Sequence, residues 1–266
     1  MQRSLSAFAL CLSLVLSGCG MFGDKLDPQK TWTAEQFYKA AKDELDSGNY
    51  GGAVKFYEAL EAKYPFGKYA QQSQLDIAYA YYKDGETAQA VSAADRFIKL
   101  HPNHSAVDYA LYLKGLAYYK LDQGFLGSYL DQDMSERDPK ALRESFDMFK
   151  DLVERYPDSK YSSDARDRLA FLINTLARHE VLVARYYYNR GAYLAAVNRA
   201  QTTLTRYPQA PANQDALVMM ILSYEKLGMK ELAADSKRVL QKNFPNNEML
   251  APGAKEPGKS WWKVWQ

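Results

Sequence analysis

The sequence is poor in cysteine, and the positions of its cysteines limit the chemistry available to the protein. Cys11 and Cys19 are the only two in 266 residues. After Cys19 no thiol remains for a disulfide, a zinc site or a cysteine nucleophile. Three histidines, at positions 101, 104 and 179, lack the partner residues that a metal site requires. The sequence therefore predicts neither a metal site nor a catalytic cysteine.

Long apolar runs and an excess of one charge are also missing. The longest apolar stretch, residues 5–16, is shorter than the roughly 20 residues that a membrane-spanning helix needs. With 34 Lys and Arg against 32 Asp and Glu, the chain lacks the basic balance of a nucleic-acid-binding protein. No Gly-x-Ser-x-Gly motif and no phosphate-binding glycine loop occur. These absences favour a protein-binding scaffold and argue against an enzyme.

The first nineteen residues have the pattern of a secretory signal peptide. Arg3 supplies a positive start, residues 5–16 are apolar apart from two serines, and small residues precede Cys19. The run Leu16-Ser17-Gly18-Cys19 resembles the lipobox of bacterial lipoproteins. In proteins with that motif the cysteine begins the mature chain and carries N-palmitoyl and S-diacylglycerol groups, so we predict lipidation of Cys19 and no other cofactor. The alternative is an ordinary signal peptide that is cut elsewhere.

A lipidated cysteine also predicts where the protein resides. Each buried methylene contributes about 0.8 kcal/mol, and two or more acyl chains anchor a protein firmly. Gly20 follows the cysteine, whereas an aspartate there tends to retain enterobacterial lipoproteins in the inner membrane. We therefore expect the periplasmic face of the outer membrane of a Gram-negative bacterium.

A repeat marked by proline runs through the rest of the chain. Five times a bulky residue precedes proline, at positions 65, 102, 157, 208 and 245, and a small residue lies twelve positions earlier. Proline stops a helix, and a small residue allows two helices to approach closely. The shortest spacing, 37 residues, is near the 34-residue period of the tetratricopeptide repeat. The small residues are Ala53, Ala90, Ser145, Ala196 and Ala233.

Local signals mark the ends of the helices. Thr33 with Gln36 fits a capping box at the start of a helix. Asp138 precedes a proline suited to a first helical position, and Ser162 and Ser163 precede another helix start.

Two repeats are longer than the others, because of an insert at about 122–137 and a long helix at about 162–189. No sustained two-residue alternation predicts a strand. Turn signals are expected at residues 48–49, 84–85, 189–191 and 228.

Together these patterns predict an all-α tetratricopeptide (TPR) superhelical solenoid of about five helix pairs with a concave binding groove. We expect a signal peptide at 1–18, a lipid-anchored linker at 19–32, the solenoid at 33–245 and a flexible tail at 246–266. The tail ends in Trp261, Trp262 and Trp265, which are expected to contact a membrane interface, a partner or the protein's own groove. The repeats are placed at about 33–68, 69–104, 105–160, 161–209 and 210–245.

Several longer strings resemble one known family. They are Lys63-Tyr64-Pro65-Phe66-Gly67-Lys68-Tyr69, Gln71-Gln72, Tyr79-Ala80-Tyr81-Tyr82-Lys83, Asp95-Arg96-Phe97-Ile98, Asp108-Tyr109, Arg137-Asp138-Pro139, Arg190-Gly191-Ala192 and Val197-Asn198-Arg199. Through these the chain resembles the BamD (ComL) family of lipoproteins from the β-barrel assembly machine of the outer membrane. The likeness extends from the lipobox to about Phe244.

The resemblance implies a non-enzymatic scaffold for the assembly and insertion of β-barrel proteins. It implies C-terminal repeats that bind the POTRA domain of BamA and other Bam lipoproteins, and N-terminal repeats that receive targeting signals of unfolded outer-membrane β-barrel proteins. No nucleic-acid partner is expected. A second interpretation is a periplasmic TPR lipoprotein that regulates cell-wall synthesis or division, with the same fold and anchor.

Two groups of residues are candidates for these contacts. Asn198 and Arg199 match the family motif for the BamA contact, and a guanidinium can pair bidentately with a carboxylate. The alternative for Arg199 is an ion pair within the chain. An aromatic set is expected to bind an extended client strand, although Tyr79 and Tyr82 also suit packing between repeats and Tyr64 suits a core position. The aromatic set is Tyr64, Phe66, Tyr69, Tyr79 and Tyr82.

Overall fold

A computed structural model of the chain describes residues 31–123, 134–136 and 138–251. The predicted signal peptide, Cys19 and nearly all of the linker lie outside the described residues. So do most of the predicted insert at 122–137 and the tryptophan-rich end.

The described residues form ten α-helices and no β-strand, which confirms the predicted all-α class. They fall into two compact units that divide within α3, between Ser73 and Gln74. Two short 3₁₀ turns, Met134–Glu136 and Glu248–Leu250, complete the secondary structure. The helices are α1 (Ala34–Asp46), α2 (Tyr50–Lys63), α3 (Lys68–Asp84), α4 (Thr87–Leu100), α5 (Val107–Gln123), α6 (Lys140–Arg155), α7 (Ser162–Asn189), α8 (Tyr193–Arg206), α9 (Asn213–Lys226) and α10 (Lys230–Asn243).

The first unit is a helical hairpin with an aromatic core. α1 and α2 contact each other along their length. Phe37, Leu60 and Ala70 are buried and are surrounded by partly buried aromatic rings, among them Trp32 and Phe56. The Gln36 N–H donates to Thr33 Oγ1 at 3.3 Å and the Thr33 N–H donates to Gln36 Oε1 at 2.8 Å. The predicted capping box at the start of α1 is therefore confirmed.

In the second unit, each helix from α4 to α10 contacts the next one along the chain. The largest buried cluster draws on α3 to α7 and includes Phe97, Phe149 and Leu172. Smaller clusters join α7 to α10 around Met219 and Ile221. Contact mainly between chain neighbours is the mark of a repeat protein, whose stability is a sum over adjacent units.

The end of the second helix has the same backbone geometry in all five repeats. Each residue before the proline has φ between −136° and −129° and ψ between 58° and 72°. This lies outside the helical region, as expected for a residue that precedes proline. Each of these N–H groups still donates to the carbonyl four residues earlier. The predicted proline stops are therefore confirmed. The residues are Tyr64, His101, Tyr156, Tyr207 and Phe244.

The small residues twelve positions before each proline are buried, with at most 7% of their surface exposed. One close helix approach is between α5 and α6. There Ser145 Oγ donates to the Gly115 carbonyl at 2.9 Å, and a Cβ on Gly115 would lie 2.5 Å from Phe149 Cε1. Only a residue without a side chain fits this crossing.

Two predicted helix starts differ from the structure. α6 begins at Lys140, one residue later than predicted, although the Lys140 N–H donates to Asp138 Oδ1 at 3.0 Å. Ser162 is the first residue of α7 and does not precede it. Its hydroxyl does not cap α7, because it donates to the Tyr156 carbonyl at 2.6 Å. This bond joins the end of α6 to the start of α7.

The other local signals are confirmed. The long helix runs from Ser162 to Asn189, as predicted. The predicted turn glycines all have positive φ, which a side chain would disfavour. They are Gly48, Gly85, Gly191 and Gly228.

We expect Gly115→Ala to lower the free energy of unfolding by about 1–3 kcal/mol, because the new methyl group would overlap the Phe149 ring at a close helix crossing. Urea unfolding monitored by circular dichroism measures the change. Gly51→Ala is the matched control, since nothing lies within 4 Å of its Cβ position in α2. Equal free energies of unfolding for Gly115→Ala and the unsubstituted protein would contradict this prediction, because α5 and α6 would then accommodate the methyl group without loss of stability.

Candidate binding surfaces

Tyr64 is held within the first unit. Its hydroxyl donates to the Trp32 carbonyl at 2.8 Å, and Lys63 Nζ donates to the same oxygen at 3.0 Å. The Tyr64 ring packs with the aromatic residues around Phe37 and Leu60. These contacts support the interpretation of Tyr64 as a packing residue that fixes the point where the chain enters the first repeat.

Phe66 and Tyr69 differ in how much of each ring is free. Phe66 lies in the turn between α2 and α3 and is 90% exposed. The Tyr69 ring lies 5.4 Å from the Tyr38 ring, centroid to centroid, and Lys68 Nζ lies 4.9 Å from the Tyr69 centroid. Of the three candidates in the first unit, Phe66 offers the largest free aromatic surface.

Tyr79 and Tyr82 belong to the second unit. Their ring centroids are 6.5 Å apart, and both rings pack against the largest buried cluster. Lys120 Nζ lies 5.3 Å from the Tyr82 centroid and donates to the Tyr82 carbonyl at 3.2 Å. Both residues are half-buried, so each contributes to packing and remains partly accessible.

Sequence reasoning missed an aromatic seam between α5 and α7. Tyr161 lies 4.9 Å from Tyr112 and 5.2 Å from Tyr109, centroid to centroid. Farther along, Tyr119 and Phe171 are 6.1 Å apart. The spacing of the α5 tyrosines, three and seven residues apart, is typical of a helix. Their partners are Tyr161, just before α7, and Phe171, on α7, and these lie about fifty residues away in the sequence.

Polar contacts hold this seam in place. The Tyr112 hydroxyl donates to Asp164 Oδ2 at 2.7 Å, and burial together with this bond raises the pKa of Tyr112 to about 12. Arg168 Nε donates to the same carboxylate oxygen at 2.5 Å, and its guanidinium lies 5.4 Å from the Tyr119 centroid. Burial also raises the pKa of Tyr109 above its ordinary value. These hydroxyls therefore stay protonated at neutral pH and provide packing and hydrogen bonding without charge.

Arg199 takes part in a buried charge network. Glu180, on α7, is 2% exposed. Its Oε2 accepts from Arg199 Nη1 of α8 at 3.2 Å, and its Oε1 accepts from Arg143 Nη2 of α6 at 2.9 Å. The two arginine side chains remain 44% and 39% exposed. The ion pair within the chain is thus present, and it leaves part of each guanidinium facing water.

Asn198 and Arg199 do not act as one paired motif in the structure. Neighbouring residues on a helix point about 100° apart, given 3.6 residues per turn. Arg199 turns toward Glu180, whereas Asn198 is exposed. A partner that contacts both would approach from the exposed side of α8.

The three histidines, His101, His104 and His179, are partly buried. His101 Nε2 lies 3.1 Å from Gln74 Oε1, and His179 Nδ1 lies 2.8 Å from the Ser135 carbonyl oxygen. Across residues 31–123, 134–136 and 138–251, no cluster of three or more His, Cys, Asp or Glu side chains suits a metal ion. None of the helices in these ranges is long and apolar enough to cross a bilayer.

These features define an all-α repeat protein with partly exposed aromatic and arginine side chains. The outer membrane lipoprotein family YfiO matches residues 30–240, and the chain belongs to this family. It is 48% identical over 258 residues to the outer membrane protein assembly factor BamD of Neisseria meningitidis serogroup A, and the match covers 96% of both chains. The BamD of Vibrio cholerae serotype O1 is 36% identical over 88% of this chain and 95% of its own length.

Membership of the family confirms the resemblance drawn from the sequence and an association with the outer membrane. These relatives are named as assembly factors, in agreement with the prediction of a scaffold and not an enzyme. Among solved structures, the TPR2AB domain of yeast Sti1 in complex with pHSP90 has a TM-score of 0.40 and 13% identity, covering 80% of this chain and 78% of that one.

Proposed function

We propose that the protein is a non-enzymatic lipoprotein scaffold of the β-barrel assembly machine and acts in the assembly and insertion of outer-membrane β-barrel proteins. What supports this most is the 48% identity to a BamD assembly factor along 96% of both chains. Stacked helical hairpins with partly exposed aromatic and arginine side chains suit protein binding.

The proposed anchor is the lipid on Cys19, at the periplasmic face of the outer membrane. The family is one of outer membrane lipoproteins, and the lipobox ends at this cysteine. Three acyl chains would hold the protein firmly, because each buried methylene adds about 0.8 kcal/mol.

Cys19→Ala is expected to abolish incorporation of radiolabelled palmitate, because the thiol that starts the acylation is removed. Fluorography measures the effect, and Cys11→Ala is the control that should leave the labelling unchanged. Palmitate labelling that survives Cys19→Ala would rule out this residue as the acylation site.

The proposed contact with the POTRA domain of BamA uses the exposed side of α8 in the fourth repeat, and the other Bam lipoproteins dock on the C-terminal repeats. Arg199 is half-exposed while Glu180 fixes its position. A guanidinium that is already held in place loses little freedom when it pairs with a carboxylate on a partner. Asn198, exposed one residue earlier, is the proposed neighbouring contact.

We expect Arg199→Gln to weaken binding of the isolated POTRA domain of BamA at least about fivefold, since a charge-assisted contact is lost. Titration calorimetry with the purified domain measures it. Arg143→Gln is the matched control, because it removes the other arginine that pairs with the same buried Glu180. Equal weakening by both variants would assign the effect to the Glu180 network and not to contact through Arg199.

Unfolded outer-membrane β-barrel proteins are the proposed clients of the N-terminal repeats. Phe66, 90% exposed, is the proposed main contact in the first unit, together with the free edge of Tyr69. Tyr79 and Tyr82 are proposed to contribute their accessible edges in the second unit. Tyr64 contributes indirectly, by fixing the helix end that precedes Phe66.

Phe66→Ser is expected to weaken binding of a peptide from the C-terminal strand of a β-barrel protein about five- to tenfold, because an aromatic anchor is removed. Fluorescence anisotropy of the labelled peptide measures it. The change should alter stability by less than about 0.5 kcal/mol, since Phe66 makes little packing contact. Leu100→Ser, at another exposed apolar residue that is 58% exposed, is the control. Unchanged affinity of Phe66→Ser would remove this residue from the client surface.

A further inference from the structure

The last repeat differs from the four before it at two positions of its second helix. When the second helices are aligned on their buried small residue, Leu232 lies one position before it and Val239 six positions after it. Only the last repeat has a bulky aliphatic residue at both positions. The residues equivalent to Leu232 are Gly52, Gln89, Glu144 and Ala195, and those equivalent to Val239 are Ala59, Arg96, Asp151 and Thr202.

Leu232 and Val239 form an exposed apolar stripe on α10. They are 45% and 46% exposed, and seven residues, or about two turns, separate them on one helix face. Between them Ser236 turns its hydroxyl back to the Leu232 carbonyl at 2.8 Å and does not cover the stripe. Leu227 and Met229, 36% and 42% exposed, extend it into the turn before α10. We call these four apolar residues the α10 patch.

This patch is unusual for the end of a repeat array. A terminal repeat normally presents a polar outer face, because no further repeat covers it. Single exposed apolar residues are common on protein surfaces, but a cluster along one helix face marks a surface that something covers.

The chain itself continues beside the C-terminal end of α10. After α10, Met249 and Leu250 pack against the buried residues Leu217, Val218 and Leu240, and Asn247 Nδ2 donates to Gln214 Oε1 at 3.3 Å. The described chain therefore ends, at residue 251, next to the C-terminal end of α10. Residues 252–266 follow, and they carry three of the four tryptophans in the sequence, Trp261, Trp262 and Trp265.

The length of this segment allows a return to the patch. α10 has 14 residues and is about 21 Å long at 1.5 Å per residue. The ten residues from 251 to Trp261 span up to about 33 Å when extended. The first tryptophan can therefore reach any point along α10.

We propose that the tryptophan-rich segment, residues 261–265, docks on the α10 patch of its own chain and caps the end of the repeat array. Indole rings bury a large apolar area, and the aliphatic side chains of Leu232 and Val239 offer the complementary surface. The positions that distinguish the last repeat from the others are then the ones that hold the segment. This inference does not depend on the proposed function.

Tryptophan fluorescence of the full mature chain tests the proposal. Cys19→Ala removes the acyl chains, so detergent is unnecessary, and Trp32, packed in the first unit, gives a constant background. We expect Leu232→Glu with Val239→Glu to raise the acrylamide quenching constant of the three tail tryptophans at least about twofold, because docked indoles would be released to water. Leu194→Glu, at a residue that is 59% exposed on α8, is the control and should leave quenching unchanged.

Equal quenching before and after the α10 substitutions would overturn the proposal. So would tail tryptophans that become shielded only when vesicles of phosphatidylethanolamine and phosphatidylglycerol, or a partner protein, are added. Because the Cys19→Ala mature chain has no thiol, a cysteine pair gives a second measurement. Val239→Cys with Trp262→Cys should form an internal disulfide at least about fivefold faster than Leu194→Cys with Trp262→Cys, and equal rates would contradict docking.

Discussion

The close approach of the two helices in each repeat is the constraint on which the rest of this structure depends. A buried small residue in the second helix allows that approach, and the residue before a proline ends the helix in the same non-helical conformation each time. Where α5 crosses α6, the first helix also has a residue without a side chain, Gly115. Helices held this closely can bury apolar side chains from only a few neighbours, so the core is distributed along the chain.

The aromatic residues follow from this arrangement. Rings of Tyr112, Tyr119 and Tyr161 fill the space between consecutive first helices, and acidic and basic side chains such as Asp164 and Arg168 hold them there. A tyrosine can pack its ring and still bond its hydroxyl, which explains how the described helices accommodate so many of them. A residue like Phe66, whose ring lies outside this packing, is for that reason a stronger binding candidate than most of the tyrosines.

In the Glu180 network, Arg199 is both a candidate contact for a partner and part of a buried ion pair that joins neighbouring helices. A buried carboxylate is costly unless it is paired, and here two arginines from neighbouring helices pair with it. The pairing sets the direction of Arg199 and spans two repeats, from α6 to α8. A partner that binds Arg199 would therefore meet a side chain whose position depends on the stacking of the third and fourth repeats.

The sequence by itself determined the helices, their stops, the turn glycines and the 28-residue α7, because these depend on backbone chemistry within a few residues. It also carried the family resemblance. Only the tertiary structure decided that Tyr64 bonds the Trp32 carbonyl, that Arg199 faces Glu180, and that the Ser162 hydroxyl serves Tyr156 in place of a cap. The hydrogen-bond partner of Tyr64 lies 32 residues away in the sequence, and that of Arg199 lies 19 residues away. The Ser162 hydroxyl bonds a carbonyl on the other side of the turn between two helices. Helical periodicity predicts the helix face on which a side chain lies. The residue that this side chain contacts is decided only when the repeats stack, because that residue comes from a different part of the sequence.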